Sequence, residues 1–396
     1  QVAICWLKRA SHDHREYRHL PERPAITRNK KVAIVGAGSA GVACARELAE
    51  MGYPVTVFDM YAAPGGMMVG GIPVWRLPRE VTREEVDEYL DALGVEVKLN
   101  TTVGKDVQLP DLLRDYDAVY LGAGCMLSNP LTGPDNKVVP GSDLFGVVAG
   151  LPFLEKVNFG EPVYVGKKVV VLGAGFTAMD CCRSAVRFGA EKVYVLYRRS
   201  KEEMPSDEYE VDEAILEHVS FTYLCSPVQI LSDDGVHVSG VKMIRNRLGD
   251  PDAGGRRRPV PVPGSEFIVE CDTVISAFGQ YADTSWIPAK ELNDLEVNKW
   301  GIPLVDRDTW MTSYPGLFAG GDFTEGSRNL ISAIADGRDG AAAINRYLGE
   351  QDSPAEEPVE IELPDFRRGM VDDYESIPYQ ILSLIHISEP TRQAEI

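Results

Sequence analysis

Apolar residues in this chain come in short β-branched bursts, most of them closed by glycine and several followed by a run with helical spacing. Val32-Ala-Ile-Val35, Val55-Thr-Val-Phe58, Val95-Glu-Val-Lys-Leu99 and Ala118-Val-Tyr-Leu121 read as strands; so do Lys168–Leu172, Val193–Tyr197, Cys271–Phe278 and Leu317–Ala319. Such runs are long enough for a buried strand and too short for a helix. Between them, Val42–Ala49, Val81–Leu93, Met179–Phe188 and Leu330–Leu348 carry the helical period, with Gly94 as the stop of the second. A further helical run is expected over Val2–Arg9, before a polar stretch with His12, His14 and His19 that reads as a solvated connector. Strands alternating with helices predict an α/β fold built on parallel sheets. The apolar-strand-then-glycine theme of Ala118–Gly124 returns at Cys271–Gly279, as though two similar domains were present.

Two of the glycine closures are fingerprints. Gly36-Ala-Gly38-Ser39-Ala40-Gly41 follows the first strand, and Gly173-Ala-Gly175-Phe176-Thr177-Ala178 follows the strand at Lys168. The first glycine allows the tight turn, the second lets backbone approach a pyrophosphate, and the third position lets helix and strand pack closely. The helix N-terminus then offers unpaired N–H groups to the anion. The strand after each copy ends on an opposite charge. Asp59 closes the next strand of the first unit, where a carboxylate accepts bonds from ribose hydroxyls. Arg198 and Arg199 close that of the second, where guanidinium groups can clamp a 2′-phosphate. One chain is therefore expected to hold two dinucleotides, which points to a flavin and a nicotinamide exchanging a hydride.

Other segments add candidates. Pro64–Pro73 is too rich in glycine for regular structure and reads as a backbone loop pressed against a ligand. Gly320-Gly321-Asp322 sets an aspartate at a strand end, placed to accept from a polyol hydroxyl. Gly249–Pro259 reads as a β-hairpin excursion whose arginines, Arg256 to Arg258, are expected to be solvated rather than ligand-binding. Residues 125 to 165 are punctuated by proline and glycine, as a linker is, and the region from Gly349 to Glu362 is acidic and proline-rich.

The 396 residues predict two or three domains. The net charge of −20 argues against nucleic acid and anionic membrane surfaces, and no apolar run approaches the ~20 residues of a membrane span. Seven cysteines without a C-x-x-C pair give no redox dithiol and no cluster-binding quartet, and fit a reducing cytoplasm. The adjacent Cys181 and Cys182 are expected to be buried packing. No metal site and no catalytic side chain are assigned, since hydride transfer needs no side-chain proton donor.

Gly36–Gly41, Pro64-Gly-Gly66, Gly71-Ile-Pro73 with Arg76-Leu-Pro78, Met179-Asp180, Tyr197-Arg-Arg-Ser200 with Glu203-Met-Pro205, and Gly320-Gly-Asp322 resemble the small (beta) subunit of NADPH-dependent glutamate synthase. They equally resemble its relatives: the flavin-binding portions of dihydropyrimidine dehydrogenase, of the transhydrogenase that bifurcates electrons to ferredoxin, and of other iron–sulfur oxidoreductases. The resemblance covers about Lys31 to Leu348. It implies two Rossmann-like domains, an NADP domain inserted into a discontinuous FAD domain. It implies FAD and NADPH as cofactors, and an iron–sulfur domain or large catalytic subunit as partner. On this basis Gly36, Gly38, Gly41, Asp59, Gly66, Met67 and Asp322 are expected at FAD, and Gly173, Gly175, Ala178, Arg198 and Arg199 at NADPH. Ser39, Ala40, Arg76, Gly122, Phe176, Thr177, Gly279 and Gly321 are expected to bind a cofactor as well. Asp59 stands where the family more often has glutamate.

The expected boundaries are 1–28 for the end of an iron–sulfur helical domain, 29–145 with 288–350 for FAD, 146–287 for NADP, and 351–381 for an extension. Val2-Ala-Ile with Leu7-Lys-Arg9 resembles the last helix of the family's N-terminal domain, and Asp373–Pro378 the approach to a ferredoxin-like part. Leu382–Ile396 resembles the conceptual translation of a sequencing adapter. The chain is thus expected to be a fragment of a longer electron-transfer protein. The competing readings are a thioredoxin-reductase-like disulfide reductase, disfavoured by the missing C-x-x-C, and a non-catalytic flavin-binding module that anchors a partner.

Overall fold

The structure is a computed structural model that describes residues 4–15, 20–251, 255–288, 292 and 295–349. The extension at 351–381, the adapter-like tail at 382–396 and His19 lie outside the described residues. The described residues fall into two compact units, one within residues 1–21 and the other within residues 22–351. In the first, helix α1 (Ile4–Asp13) runs past the Arg9 at which the expected helical run stops. An ion pair between Arg9 and Asp13 at 2.6 Å, one turn apart, supports its last turn.

The second unit opens with β1 (Val32–Val35), α2 (Ser39–Glu50), β2 (Val55–Phe58) and the short helix α3 (Met67–Gly70). One helical run follows in three pieces, α4 (Arg79–Thr82), a π-helical turn (Arg83–Asp87) and α5 (Glu88–Leu93), stopped at Gly94. Then come β3 (Glu96–Lys98), α6 (Leu109–Asp115), β4 (Ala118–Leu121) and the two-residue β5 (Leu127–Ser128). A second series repeats the scheme: β6 (Val147–Ala149), α7 (Gly150–Phe159), β7 (Lys168–Leu172), α8 (Phe176–Arg187), β8 (Lys192–Leu196), α9 (Glu208–Leu216) and β9 (Ser220–Thr222). The antiparallel strands β10 (Cys225–Leu231), β11 (Gly240–Pro251) and β12 (Arg257–Glu270) lead to β13 (Thr273–Ser276) and β14 (Gln280–Tyr281). The chain returns through β15 (Leu317–Ala319), α10 (Asp322–Glu325) and α11 (Leu330–Tyr347).

Two five-stranded sheets result, ordered β15-β4-β1-β2-β3 and β6-β13-β7-β8-β9, and every pairing in both is parallel. Their central strands are apolar throughout because both faces are covered. In the first sheet Val32, Ile34, Val55, Val57 and Tyr120 face α2, α5 and α11, while Ala33, Val35, Phe58, Val119 and Leu121 face α6 and the segment that holds Ala282, Ile287 and Leu295. In the second, Val169, Val171, Val193 and Val195 pack on α7, α8 and α9, and Val170, Leu172 and Leu196 pack on the meander β10–β12. Each such side chain, fully buried, contributes about 2 kcal/mol of transfer free energy.

The chain crosses between the sheets on β5 and β14, which pair with each other. Leu131 and Val139 therefore join the second core, and Ala282 and Ile287 the first, so the crossings fall nearer 128 and 280 than the expected 145 and 287. Sequence punctuation marks a linker but not which core its apolar residues reach. The segment Pro64–Pro73 likewise departs from the expected irregular loop, since Met67–Gly70 closes a helical turn inside it.

Candidate functional site

At the end of β1, Gly36 turns with φ +98°, and a Cβ there would stand 2.5 Å from the Gly122 carbonyl oxygen. Gly122, at the end of β4, thus buttresses the turn from behind. The second glycine is different: a Cβ at Gly38 would find only the Gly66 Cα, at 3.9 Å. The turn presents bare backbone to open space at the start of α2, where the first N–H groups have no carbonyl one turn earlier. Bare N–H groups facing such a space fit a pyrophosphate. The loop holding Gly66 and Met67 is tied to the turn by the Gly65 N–H, which donates to the Ala37 carbonyl at 2.8 Å.

Asp59 curls back onto this turn. Its Oδ2 accepts from the Ala37 N–H at 2.6 Å and its Oδ1 from the Tyr61 N–H at 2.8 Å. The residue is 7% exposed, and burial raises its carboxyl pKa against those two bonds. Each oxygen retains a lone-pair site for a hydroxyl. Ala40 packs rather than presents itself: a Cβ at Gly321 would lie 2.8 Å from its Cβ, and one at Gly337 of α11 would lie 2.1 Å from its carbonyl oxygen. Asp322 is brought to the same region by β15, and burial raises its carboxyl pKa. Its Oδ1 accepts from the Arg328 N–H at 3.1 Å, and among the described residues its Oδ2 is left over.

The second turn repeats the geometry. A Cβ at Gly173 (φ +128°) would meet the Ala277 carbonyl oxygen at 2.5 Å, and one at Gly175 only the Pro205 Cγ, at 3.7 Å. Ala277, which no sequence motif singles out, plays the part of Gly122. Gly279, expected to bind a cofactor, lies at the crossing, where its carbonyl accepts from the Asn129 N–H at 2.9 Å. At the start of α8, Phe176 is 55% exposed while Ala178 is buried under the helix. Arg198 and Arg199 stand side by side in sequence beyond β8, but Arg198 is exposed and Arg199 buried.

Arg76, expected to bind a cofactor, has its guanidinium engaged by protein carboxylates. Its Nε donates to Asp180 of α8 at 2.8 Å, and its two terminal nitrogens are both taken by Glu210 of α9. It bridges the two layers, as do the Tyr61 hydroxyl on Glu155 and the Asn158 amide on the Gly70 carbonyl at 2.7 Å. Burial pushes the Asp180 carboxyl up to about 6, with the Arg76 guanidinium acting the other way. A folded-state pKa above the unfolded value favours folding below about pH 4, and that contribution is lost as pH rises to about 6. Asp180→Asn is expected to flatten this part of the stability profile, which spans on the order of 2 to 3 kcal/mol. Thermal midpoints measured between pH 4 and 7 check it; parallel curves for both proteins would contradict it.

Cys181 and Cys182 are fully buried in the core between α7, α8 and the sheet, and burial raises both thiol pKa values. Packing is their role, as expected. No helix among the described residues is long and apolar enough to cross a membrane.

Residues 30–337 match the model of the pyridine nucleotide-disulphide oxidoreductase family. The chain is 44% identical over 330 residues to the NADP(+)-dependent formate dehydrogenase subunit beta of Moorella thermoacetica, covering 83% of this chain and 45% of that one. It is 42% identical over 377 residues to the NADPH-Fe(3+) oxidoreductase subunit beta of Geobacter sulfurreducens, with 88% and 55% covered. It is 45% identical over 335 residues to the glutamate synthase [NADPH] small chain of Escherichia coli K12, with 81% and 69% covered. The chain thus spans about half the length of the first two relatives. In fold it is similar to Mycobacterium tuberculosis FprA solved in complex with NADPH, with a TM-score of 0.68 at 18% identity over 81% of this chain and 85% of that one.

Proposed function

The chain belongs to the pyridine nucleotide-disulphide oxidoreductase family, and from that membership we propose that it takes reducing equivalents from NADPH onto FAD and delivers electrons to a partner. The partner is an iron–sulfur domain or a large catalytic subunit, in keeping with relatives named as beta subunits or small chains. The observation that carries the reading is the contrast between two otherwise matching turns. Both open a bare-backbone space at a helix start, yet one is followed by the Asp59 carboxylate and the other by Arg198 and Arg199.

In this reading the α2 turn, Gly66 and Met67 hold FAD, Asp59 takes its adenosine ribose, and Asp322 takes a hydroxyl on its ribityl side. The α8 turn holds NADPH, and the arginines beyond β8 select the nucleotide bearing a 2′-phosphate. When bound, FAD accepts a hydride and releases electrons singly, which lets a two-electron donor feed one-electron centres. The protein contributes orientation: its parallel sheets bring both turns to strand C-terminal ends, and Arg76, Tyr61 and Asn158 tie the layers together. Six described cysteines, all unpaired, fit a reducing compartment such as the cytoplasm.

The test is anaerobic absorption spectroscopy of the purified protein. A bound flavin that bleaches rapidly on adding NADPH, and slowly with NADH, is the expected result. A yellow protein that neither nucleotide bleaches would favour the partner-anchoring module, and a colourless one would overturn the FAD assignment.

A further inference from the structure

Tyr61, Gly70 and Arg76 of the first layer each bond into the second, and they flank the loop at Gly66 and Met67 on both sides. The Tyr61 N–H donates to Asp59 Oδ1 at 2.8 Å, while its hydroxyl donates to Glu155 of α7. One turn along α7, the Asn158 amide donates to the Gly70 carbonyl at 2.7 Å, and Phe159 packs on the Tyr61 ring with centroids 5.0 Å apart. The start of α7 is pressed on α8 in turn: a Cβ at Gly150 would meet Thr177 Cγ2 and Cys181 Sγ, both at 3.2 Å. Arg76 reaches α8 directly, since Asp180 lies one turn past Phe176, the first residue of that helix. Its bond therefore lands just behind the second glycine turn.

At Arg76 the contact is built from buried charge. Each nitrogen of its guanidinium meets a carboxylate, Nε at Asp180 and the two terminal nitrogens at Glu210. Asp180 and Glu210 are themselves buried. The neighbouring Trp75 is covered by guanidinium groups of α8, Arg183 at 4.5 Å and Arg187 at 4.1 Å from its ring centroid. The pair Trp75-Arg76 is thus seated on the second layer by charge pairing and cation–π contact together. By contrast, the crossing strands β5 and β14 pair over two residues each, and so short a ribbon resists bending weakly. Side-chain contacts of this kind are what brace the separation of the two glycine turns.

We propose that Arg76 is a positioning residue for hydride transfer: by holding α8 against the loop at Gly66 and Met67, it sets how closely the nicotinamide ring of NADPH approaches the flavin. Tyr61 and Asn158 act with it. The proposal rests on the reading of the α2 turn as the FAD site and the α8 turn as the NADPH site. Reacting atoms must come within about 3 to 3.5 Å, and a displacement of about 1 Å costs on the order of a hundredfold in rate. Removing the guanidinium leaves Asp180 buried without its counter-ion, so water enters to hydrate it and the layers part.

The experiment compares the FAD-loaded parent with Arg76→Ala by three measurements. They are NADP+ affinity by calorimetry, the long-wavelength charge-transfer absorbance of NADP+ on the photoreduced flavin, and the limiting rate of flavin reduction by NADPH in stopped flow. Arg76→Ala is expected to lower the rate about tenfold or more and to weaken the charge-transfer band, with NADP+ affinity within about twofold of the parent. Arg76→Lys should fall between, because one ammonium can meet Asp180 or Glu210 but not both in the fork geometry. A parent-like rate and band in Arg76→Ala would overturn the proposal alone, and so would a loss seen only as weaker NADP+ binding. If the parent itself neither forms the band nor is reduced by NADPH, the reading of the two sites falls with it. Should Arg76→Ala lose its flavin, Tyr61→Phe decides, since it keeps the ring on Phe159 and loses only the bond to Glu155. A rate lowered severalfold at full flavin content is expected there, and a parent-like rate and band would overturn the proposal.

Discussion

Gly41→Ala is expected to yield a protein that purifies with little flavin and unfolds well below the parent. A Cβ at Gly41 would stand 1.8 Å from the Gly36 carbonyl oxygen, 3.0 Å from the Gly36 carbon and 3.2 Å from Ile34 Cγ2. Two of these atoms are backbone of the turn that faces the ligand, so the methyl cannot be accommodated by a rotamer change. Either α2 slides outward by more than an ångström or the turn deforms. Sliding is opposed at the far side of α2, where Ala40 already meets the glycines of α11 and the strand end before α10 at contact distance. Overpacking of this kind costs about 3 kcal/mol, and a displaced turn no longer aims its N–H groups at the pyrophosphate. The matched position of the second fingerprint is Ala178, which is fully buried and tolerated. Ala178→Gly should therefore cost only about 1 kcal/mol, mostly through helix propensity, and leave the flavin in place. Thermal unfolding and the ratio of visible to ultraviolet absorbance measure both effects. A fully yellow Gly41→Ala protein with the parent's midpoint would show that α2 has room the packing denies it.

The second large effect is expected from removing both strand-end arginines. Arg198→Ala with Arg199→Ala deletes an exposed guanidinium at the strand end and a buried one that donates to the Arg257 carbonyl. Charge-assisted bonds to a phosphate contribute about 2 to 4 kcal/mol here, so the preference for NADPH over NADH in kcat/KM should fall by roughly 30- to 1,000-fold. The loss should appear in KM for NADPH, because the 2′-phosphate lies far from the reacting ring and binds alike in ground and transition states. NADH should be used as before or slightly better. Raising salt should reproduce part of the effect in the parent and little in the double variant, since an exposed phosphate–guanidinium contact is screened. Unchanged discrimination in the double variant would falsify the 2′-phosphate assignment outright.

Much of this molecule was legible along the chain because the relevant physics is local. A β-branched run ending in glycine and followed by a helical period states its own strand, turn and helix. The strand Ala118–Leu121 and the stop at Gly94 fall where the pattern puts them, and both fingerprints close the strands and open the helices expected of them. Alternation of small and branched residues also decides which strand faces meet which helices. The opposite charges at Asp59 and Arg198 were readable for the same reason, since each lies a short, fixed distance past its own turn.

The tertiary structure decided the partners that are distant in sequence. Arg76 and Asp180 meet across 104 positions, and nothing in Arg76-Leu-Pro78 distinguishes a guanidinium that faces a cofactor from one that ties two sheets together. Arg198 and Arg199 are adjacent and chemically identical, yet one is exposed and the other buried, because a hairpin 58 positions later supplies the carbonyl that Arg199 fastens. Ala277 buttresses the second turn although no motif singles it out, since the buttress of a turn is a carbonyl oxygen and any residue can provide one. Local periodicity and turn stereochemistry fix the elements and their chemistry. Which long side chain reaches which partner is set only when the sheets are packed, because burial and distance, not residue type, then choose among several acceptors of equal strength.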